Sequence, residues 1–125
     1  MNIPEELKYT ADHEWVRLEG DLAYVGVTDY AQREYGNIVC VDIDTIDKTL
    51  EKDDILGSIE ADKTVSDLFM PIKGKVTELN NILEENPEQV NKDPYGKGWI
   101  IKIIPTDITE WDTLLSAKEY RDLIK

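Results

Sequence analysis

The chain has 125 residues, of which 41% are hydrophobic and 33% are charged, a composition typical of a globular protein and not of a disordered one. Fourteen lysines and arginines stand against 27 aspartates and glutamates, which gives a net charge of −13. This charge argues against nucleic acid and anionic membranes as partners, because both would repel the chain. It fits contact with basic patches on proteins, and it is equally consistent with a role in solubility alone.

The N-terminal stretch MNIPEELKYTADHEWV has no apolar signal core and is acidic, so neither a secretory nor an organelle-targeting peptide is expected. No apolar run approaches about 18 residues, so no membrane-spanning helix is expected. Cys40 is the one cysteine, which excludes an internal disulfide. Because it lies in the apolar run NIVCVDI, we expect a buried, unreactive thiol. These features together predict a cytoplasmic protein in a reducing compartment.

The first predicted elements are a β-hairpin, a short helix and a strand. HEWVRLEGDLAYVGV alternates apolar residues on both sides of a Gly20 turn, which is typical of a hairpin. TDYAQREYG predicts a short helix that Thr28 or Asp29 caps and that Gly36 ends in a left-handed conformation. NIVCVDI is β-branched and apolar, which predicts a buried strand. The polar segment DTIDKTLEKDDILG that follows is predicted to be a loop.

The second half begins with GSIEADKTVSDLFMPIKGKV, residues 57–76, whose partly alternating apolar residues predict a hairpin with acids and one lysine around its midpoint. GKVTELNNIL predicts another strand, EENPEQVNKDPYGKG a long loop, and WIIKIIP a strand that Pro105 ends. The tail is predicted to be helical, with a capping box at Ser116 and Glu119 and with Tyr120 and Leu123 on one face. This order predicts a β-rich sandwich or barrel with a helical C-terminus.

The inventory of reactive residues argues against an enzyme. His13 is the one histidine, and its neighbours ADHEWV include no nucleophile, so a structural role is expected for it. One cysteine and one histidine cannot form a structural zinc site, and no phosphate-binding glycine loop or calcium loop is present in the sequence. A hydrolase with paired carboxylates stays open as a minor alternative.

Lys63 lies among the acids of the segment 57–76 and has two interpretations. It is either a solvated lysine that offsets its acidic neighbours, or a lysine that carries a covalent group. A carrier lysine must stand clear of the core, where a modifying enzyme can reach it, and the tip of a rigid hairpin meets that need. Acylation of the amine would remove its charge and break any ion pair with Asp62 or Glu60.

Five separated blocks occur in the order typical of one known family. They are YTADHEWV, GVTDYAQREYGNIVCVD, GSIEADKTVSDLFMPIKGKV, NPEQVNKDPYGKGWIIKI and LLSAKEY. Over essentially its whole length the chain resembles the glycine cleavage system H proteins, which are lipoyl-carrying shuttles. Residues 1–125 would therefore form a single lipoyl-carrier domain.

The block around Lys63 departs from the usual form of this family. Taken alone, IEADKTVSD also resembles the lipoyl domains of 2-oxoacid dehydrogenase acyltransferases. The family's usual form is closer to Glu-Ser-Val-Lys, whereas this chain has Ala61 and Asp62 before the lysine. We expect this departure to concern details of recognition by the lipoylating enzyme and not the lysine itself. Biotin carriers are a poorer match, because methionines flank their target lysine and none flanks Lys63.

The resemblance implies a mainly β fold, the barrel-sandwich hybrid of lipoyl and biotinyl carriers, with short helices and a helical C-terminus. It implies lipoic acid in amide linkage to Lys63 and no catalysis by the chain itself. The implied partners are the pyridoxal-phosphate glycine decarboxylase, the tetrahydrofolate-dependent aminomethyltransferase, the flavin dihydrolipoamide dehydrogenase, and a lipoate ligase or lipoyl transferase. The chain would serve glycine catabolism and one-carbon metabolism as a monomer, without metal, nucleic acid or membrane.

The resemblance also implies a surface cleft that shelters the aminomethyl-loaded arm from water. Because the amine is cationic, acidic residues should line this cleft, and the family's positions correspond to Glu14 and Asp67, with Asp12 and His13 close by in sequence. Trp15, Tyr95 and Trp99 are expected to pack in the core or the cleft wall. Two alternatives stay open: a relay that passes lipoyl groups to 2-oxoacid dehydrogenase complexes, and an unmodified protein-binding module.

Overall fold

The structure, a computed structural model, describes residues 1–62 and 64–125. Six antiparallel strands of the described chain form one sheet: β1 (Lys8–Tyr9), β2 (Glu14–Glu19), β3 (Leu22–Val27), β5 (Thr49–Leu50), β8 (Gly74–Leu79) and β9 (Ile101–Pro105). Their order across the sheet is β1-β2-β3-β9-β8-β5. The predicted hairpin is β2 and β3, and its turn contains Gly20 at a φ of 62°, a left-handed conformation that glycine adopts without strain.

A second sheet has three strands, β4 (Ile38–Asp42), β6 (Ile55–Ala61) and β7 (Val65–Phe69), with β6 in the centre. β6 and β7 form the antiparallel hairpin predicted for residues 57–76, with Glu60 opposite Val65 and Ser58 opposite Asp67. The amide of Ala61 donates to the carbonyl oxygen of Thr64 at 2.9 Å, which closes the end of this hairpin. Lys63 itself lies outside the described residues.

The helices are short, and side-chain caps start α1 and α4 but not α2 and α3. They are α1 (Asp29–Tyr35), α2 (Ile82–Glu85), α3 (Gln89–Lys92), a 3-10 helix (Ile108–Thr113) and α4 (Ala117–Leu123). Thr28 caps α1 by accepting a hydrogen bond from the amide of Ala31, and Gly36 follows its last residue at a φ of 81°. Both hydrogen bonds of the capping box at Ser116 are present. Among the described residues, no helix is long and apolar enough to cross a membrane.

Two hydrophobic clusters hold the fold together. The larger lies between the sheets and includes Val16 and Val25 from the first sheet and Ile59 and Leu68 from the second. The smaller contains the buried residues Leu7, Tyr9, Trp15, Ala117 and Tyr120, against which Tyr24, Tyr95 and Trp99 pack. The structure thus confirms the prediction that the large aromatic side chains serve packing, and it confirms a mainly β fold with short helices and a C-terminal helix.

Four details of the sequence-based expectation are wrong. Cys40 is exposed, because the pairing of β4 with β6 is irregular between Ile38 and Cys40 and leaves Val39 and Cys40 both facing solvent. Leu123 is 51% exposed, so it does not share the buried face of Tyr120. The predicted long loop contains α3, and the polar segment before residue 57 contains β5.

Candidate functional site

A tight turn before β2 positions Glu14. The hydroxyl oxygen of Thr10 accepts hydrogen bonds from the amides of Asp12 and Glu14, both at 3.2 Å. The amide of Thr10 donates to the carbonyl oxygen of Glu14 at 2.9 Å, and His13 closes the turn with a φ of 68°. The sequence TADHE therefore folds into a loop that directs the first side chain of β2 toward the protein interior.

The Glu14 carboxyl group lies against the second sheet. Its side chain is buried, with 2% of the residue exposed. Oε2 accepts a hydrogen bond from the amide of Phe69, the last residue of β7, at 2.9 Å. Oε1 accepts a longer bond of 3.4 Å from the hydroxyl of Thr10. Glu14 thus links the turn before β2 to the end of β7, the second strand of the hairpin.

Glu14 lines a cleft of about 230 Å³ that four separate segments of the chain enclose. They are the end of β1 with the turn before β2, the loop that carries Lys52 and Asp53, Met70 directly after β7, and residues 113–115 at the end of the 3-10 helix. Apolar groups come from Tyr9, Ala11, Met70, Leu114 and Leu115, and polar ones from Thr10, Asp12, Glu14, Lys52, Asp53 and Thr113. The cleft therefore combines an apolar wall with three carboxylates.

The electrostatics of this cleft favour a cation. Burial raises the pKa of Glu14 to about 8, the amide of Phe69 and the hydroxyl of Thr10 oppose that rise, and the negative charges of Asp12 and Asp53 add to it. A cation that entered the cleft would stabilise the ionised form of Glu14 and lower its pKa. The apolar wall suits the hydrocarbon part of such a ligand, so the residues fit a flexible chain that ends in an amine.

The C-terminal helix fixes the turn that carries Glu14. The Tyr120 hydroxyl lies 2.9 Å from Nδ1 of His13 and 2.7 Å from the hydroxyl of Thr28. The ring of His13 also packs against Tyr30, with 4.9 Å between the ring centroids. Burial lowers the pKa of His13. These contacts agree with the structural role predicted for His13 and explain how α4 and α1 hold the turn in place.

The structure does not bring Glu14 and Asp67 into one cleft. Asp67 is exposed on β7 and lines a separate depression of about 180 Å³ together with Asp42, Asp44, Ile55, Gly57 and Ser58. Neighbouring residues of a strand alternate between its faces, so the buried Leu68 faces the core and Asp67 faces solvent. Asp12, in contrast, lines the Glu14 cleft.

Lys63, the predicted attachment residue, lies outside the described residues, but its neighbours show what surrounds the hairpin end. Asp62 and Thr64 are exposed. Asp62 accepts a hydrogen bond from the side-chain amide of Asn37 at 3.2 Å, and its own amide donates to the Asn37 carbonyl oxygen at 3.2 Å. These bonds tie the hairpin end to the loop between α1 and β4. Among the described residues, no group of three or more potential metal ligands is present.

Comparisons with known proteins agree on one family. The family model for the glycine cleavage H-protein matches residues 7–125. The chain belongs to the glycine cleavage H-protein family. The glycine cleavage system H protein of Bacteroides fragilis is 56% identical over 124 residues, which cover 99% of this chain and 98% of the relative. That of a Geobacillus species is 47% identical over 125 residues, covering 100% and 98%.

The fold of this H-protein family member agrees with a solved relative. The crystal structure of a glycine cleavage system H protein from Mycobacterium marinum superposes with a TM-score of 0.86 and 36% sequence identity. The match covers 96% of this chain and 97% of that one. Both the family and the fold expected from the five sequence blocks are therefore confirmed.

Sequence reasoning missed two parts of the cleft. Lys52 and Asp53 lie in a polar segment that carries no functional signal, and Leu114 and Leu115 read as ordinary helix residues. The C-terminal side reaches the cleft because Tyr9 and Leu115 exchange two backbone hydrogen bonds of 2.8 Å, as two short β-type segments do. Pairing of residues so far apart in the chain is not visible in the sequence.

Proposed function

We propose that this chain is the lipoyl-bearing shuttle of a glycine cleavage system. In this proposal Lys63 carries lipoic acid as an amide, and the chain itself is not an enzyme. The lipoyl dithiolane supplies the reactive sulfur that takes up the aminomethyl group of glycine. The chain presents that cargo in turn to a glycine decarboxylase, an aminomethyltransferase and a dihydrolipoamide dehydrogenase. A tether of this kind raises the effective concentration of the reactive group at each partner.

The observation that carries the proposal is the buried carboxyl group of Glu14 in an apolar-walled cleft. Phe69, whose amide binds Glu14, stands four residues beyond Val65 on β7, roughly 13 Å along the strand. A lysine extended by a lipoyl chain covers a distance of this order. The aliphatic part of the arm would lie against Leu114, Leu115 and Met70, and its cationic end would meet Glu14.

Protection from water is the chemical purpose of this arrangement. Water converts a thiol-bound aminomethyl group to free thiol, formaldehyde and ammonium, which destroys the cargo between two partners. Glu14 would hold the ammonium by a charge-assisted hydrogen bond, and the apolar wall would exclude water from the methylene carbon. A lipoyl relay would have no use for a cation receptor, so the cleft favours the shuttle over that alternative.

The attachment of lipoate is tested first. The intact mass is measured after coexpression with a lipoate ligase and lipoate, with Lys63→Ala as the matched control. A gain of one lipoyl group that the variant lacks supports the carrier role. No gain in either protein would contradict it and would show that Ala61 and Asp62 prevent recognition, leaving the binding-module alternative.

Residues 1–125 are proposed to act as one carrier domain, in the cytoplasm.

The role of Glu14 is tested on the lipoylated protein after loading with glycine and a glycine decarboxylase. Spontaneous loss of the cargo is followed by intact mass in the wild type, in Glu14→Gln and in Asp67→Asn. We expect faster loss in Glu14→Gln, because the amide cannot neutralise the ammonium. Asp67 lies in another depression, so its variant should retain the wild-type rate. A wild-type rate in Glu14→Gln would refute the role of Glu14.

A further inference from the structure

The loop opposite Glu14 carries a carboxylate with an unusual backbone. Asp53 lines the same cleft as Glu14 and has a φ of 72°, in the left-handed region that side chains rarely adopt. We propose that Asp53 is a second carboxylate of the cation subsite and receives the ammonium end of the cargo together with Glu14. This inference rests on the proposed function, because it assigns a further residue to the same cleft.

Backbone hydrogen bonds fix the position of Asp53. Its amide donates to the carbonyl oxygen of Met70 at 2.8 Å, and the amide of Met70 donates to the carbonyl oxygen of Asp54 at 2.8 Å. The loop is also closed on itself, since the amide of Glu51 donates to a carboxylate oxygen of Asp54 at 2.8 Å. These bonds hold the loop against the residue that follows β7.

The two carboxylates are positioned by consecutive residues of one strand end. Phe69 binds the Glu14 carboxyl group through its amide, and Met70 binds the backbone of Asp53 through its carbonyl oxygen. The carboxyl group of Glu14 and the backbone of Asp53 are therefore both anchored at residues 69–70. Such preorganisation is what a site for a small cation requires.

The other charged groups that face this cleft are Asp12, from the turn before β2, and Lys52, which precedes Asp53. Asp12, Lys52 and Asp53 are all exposed at the mouth of the cleft, and the charges of Asp12 and Asp53 raise the pKa of the buried Glu14. Two carboxylates in one cleft repel each other until a cation lies between them, so entry of an ammonium group relieves that repulsion. Asp67 makes no such contribution, because it lines a different depression.

The first test uses the unmodified full chain and needs no partner enzyme. Labelled protein is titrated with n-butylammonium, and with n-butanol as the uncharged control, while the amide resonances of Phe69 and Asp53 are followed by NMR. We compare the wild type with Asp53→Asn, which tolerates the left-handed backbone and removes only the charge. Asp67→Asn is the matched control for loss of one exposed charge.

We expect Asp53→Asn to weaken binding of the cation about two- to fivefold, the range of an exposed ion pair, and Asp67→Asn to leave it unchanged. Equal affinity in the wild type and Asp53→Asn would overturn the inference. Equal weakening in both variants would also overturn it, because the effect would then be one of net charge. Failure of Asp53→Asn to fold would not hide the result, since Asp53→Gly removes the carboxylate and suits the same backbone.

The second test separates this inference from the function on which it rests. Loss of cargo from the loaded protein is compared among the wild type, Glu14→Gln and Asp53→Asn. Faster loss in both variants supports both proposals. Faster loss in Glu14→Gln alone keeps the shelter at Glu14 and removes Asp53 from it. Wild-type rates in both variants overturn the roles of Glu14 and Asp53, whereas the carrier role of Lys63 is decided separately by the intact mass.

Discussion

Replacement of Glu14 by glutamine should remove a large pH dependence of stability. In the folded protein, burial keeps Glu14 protonated up to a pKa of about 8, whereas the ordinary value is 4.5. Between these values the folded state holds one proton more than the unfolded state. The free energy of unfolding therefore falls as the pH rises from 4.5 to 8, and it levels off above pH 8.

The size of the effect follows from the two pKa values. Each pH unit between them changes the free energy of unfolding by about 1.36 kcal/mol, which gives about 5 kcal/mol between pH 4.5 and 8. His13 opposes this trend below pH 6.5, because its lowered pKa makes stability rise with pH there. From pH 6.5 to 8 the titration of Glu14 is free of that opposition and lowers the free energy of unfolding by about 2 kcal/mol in total.

The assay is urea unfolding of the wild type and Glu14→Gln at constant ionic strength, from pH 5 to pH 9. The difference between the two proteins should change steadily up to pH 8, in favour of the variant. Glu119→Gln is the control: the Ser116 amide and hydroxyl lower the pKa of Glu119, so its contribution is lost only as the pH falls below about 4.5. Parallel curves for the wild type and Glu14→Gln from pH 5 to 8 would refute the reasoning.

Three further changes test the fold around the site. Ser116→Ala removes the hydroxyl that accepts the hydrogen bond of the Glu119 amide, whereas the Ser116 amide can still donate to the Glu119 carboxylate. The loss of this cap should lower the stability by about 1 kcal/mol, seen as a lower melting temperature, and no change would mean that the cap does not stabilise α4. Gly57→Ala would place a Cβ 2.3 Å from the carbonyl oxygen of Asp42. We therefore expect the free energy of unfolding in urea to fall by about 2 kcal/mol or more. An unchanged value would contradict the close packing of β4 on β6. Cys40 is exposed, so the native protein should react with one equivalent of a thiol reagent before unfolding, whereas reaction only in denaturant would show that the thiol is covered.

The sequence was sufficient to predict turns and helix caps, because these depend on residues that are neighbours in the chain. The turn at Gly20, the cap at Thr28 and the capping box at Ser116 each arise from hydrogen bonds or backbone angles within a few residues. The exposure of Cys40 could not be predicted in this way. It depends on an irregular register between β4 and β6, and the apolar run around Cys40 does not encode that register.

The cleft shows the same limit for function. Glu14 was predicted from a resemblance, but the residues that line its cleft, 9–12, 14, 52–53, 70 and 113–115, are brought together only by the fold. The resemblance also named Asp67, which the alternation of β7 places in a different depression. Asp53 could not be found from the sequence, because nothing in EKDDIL indicates that its backbone is left-handed and fixed to Met70.

The burial of Glu14 is better explained by function than by stability. Its carboxyl group has two hydrogen-bond donors, Phe69 and Thr10, and among the described residues it forms no salt bridge. A permanent lysine or arginine partner would offset part of the cost of burial, but it would also fill the place that the proposed ammonium cargo would occupy.

An acid without a fixed counter-ion is suited to a cation that binds and dissociates. While no cation is bound, the burial of this acid lowers the free energy of unfolding. Glu14→Gln should therefore be more stable than the wild type at pH 8 and yet lose its cargo faster. A variant that gained stability and kept its cargo as long as the wild type would show that the buried charge serves neither purpose.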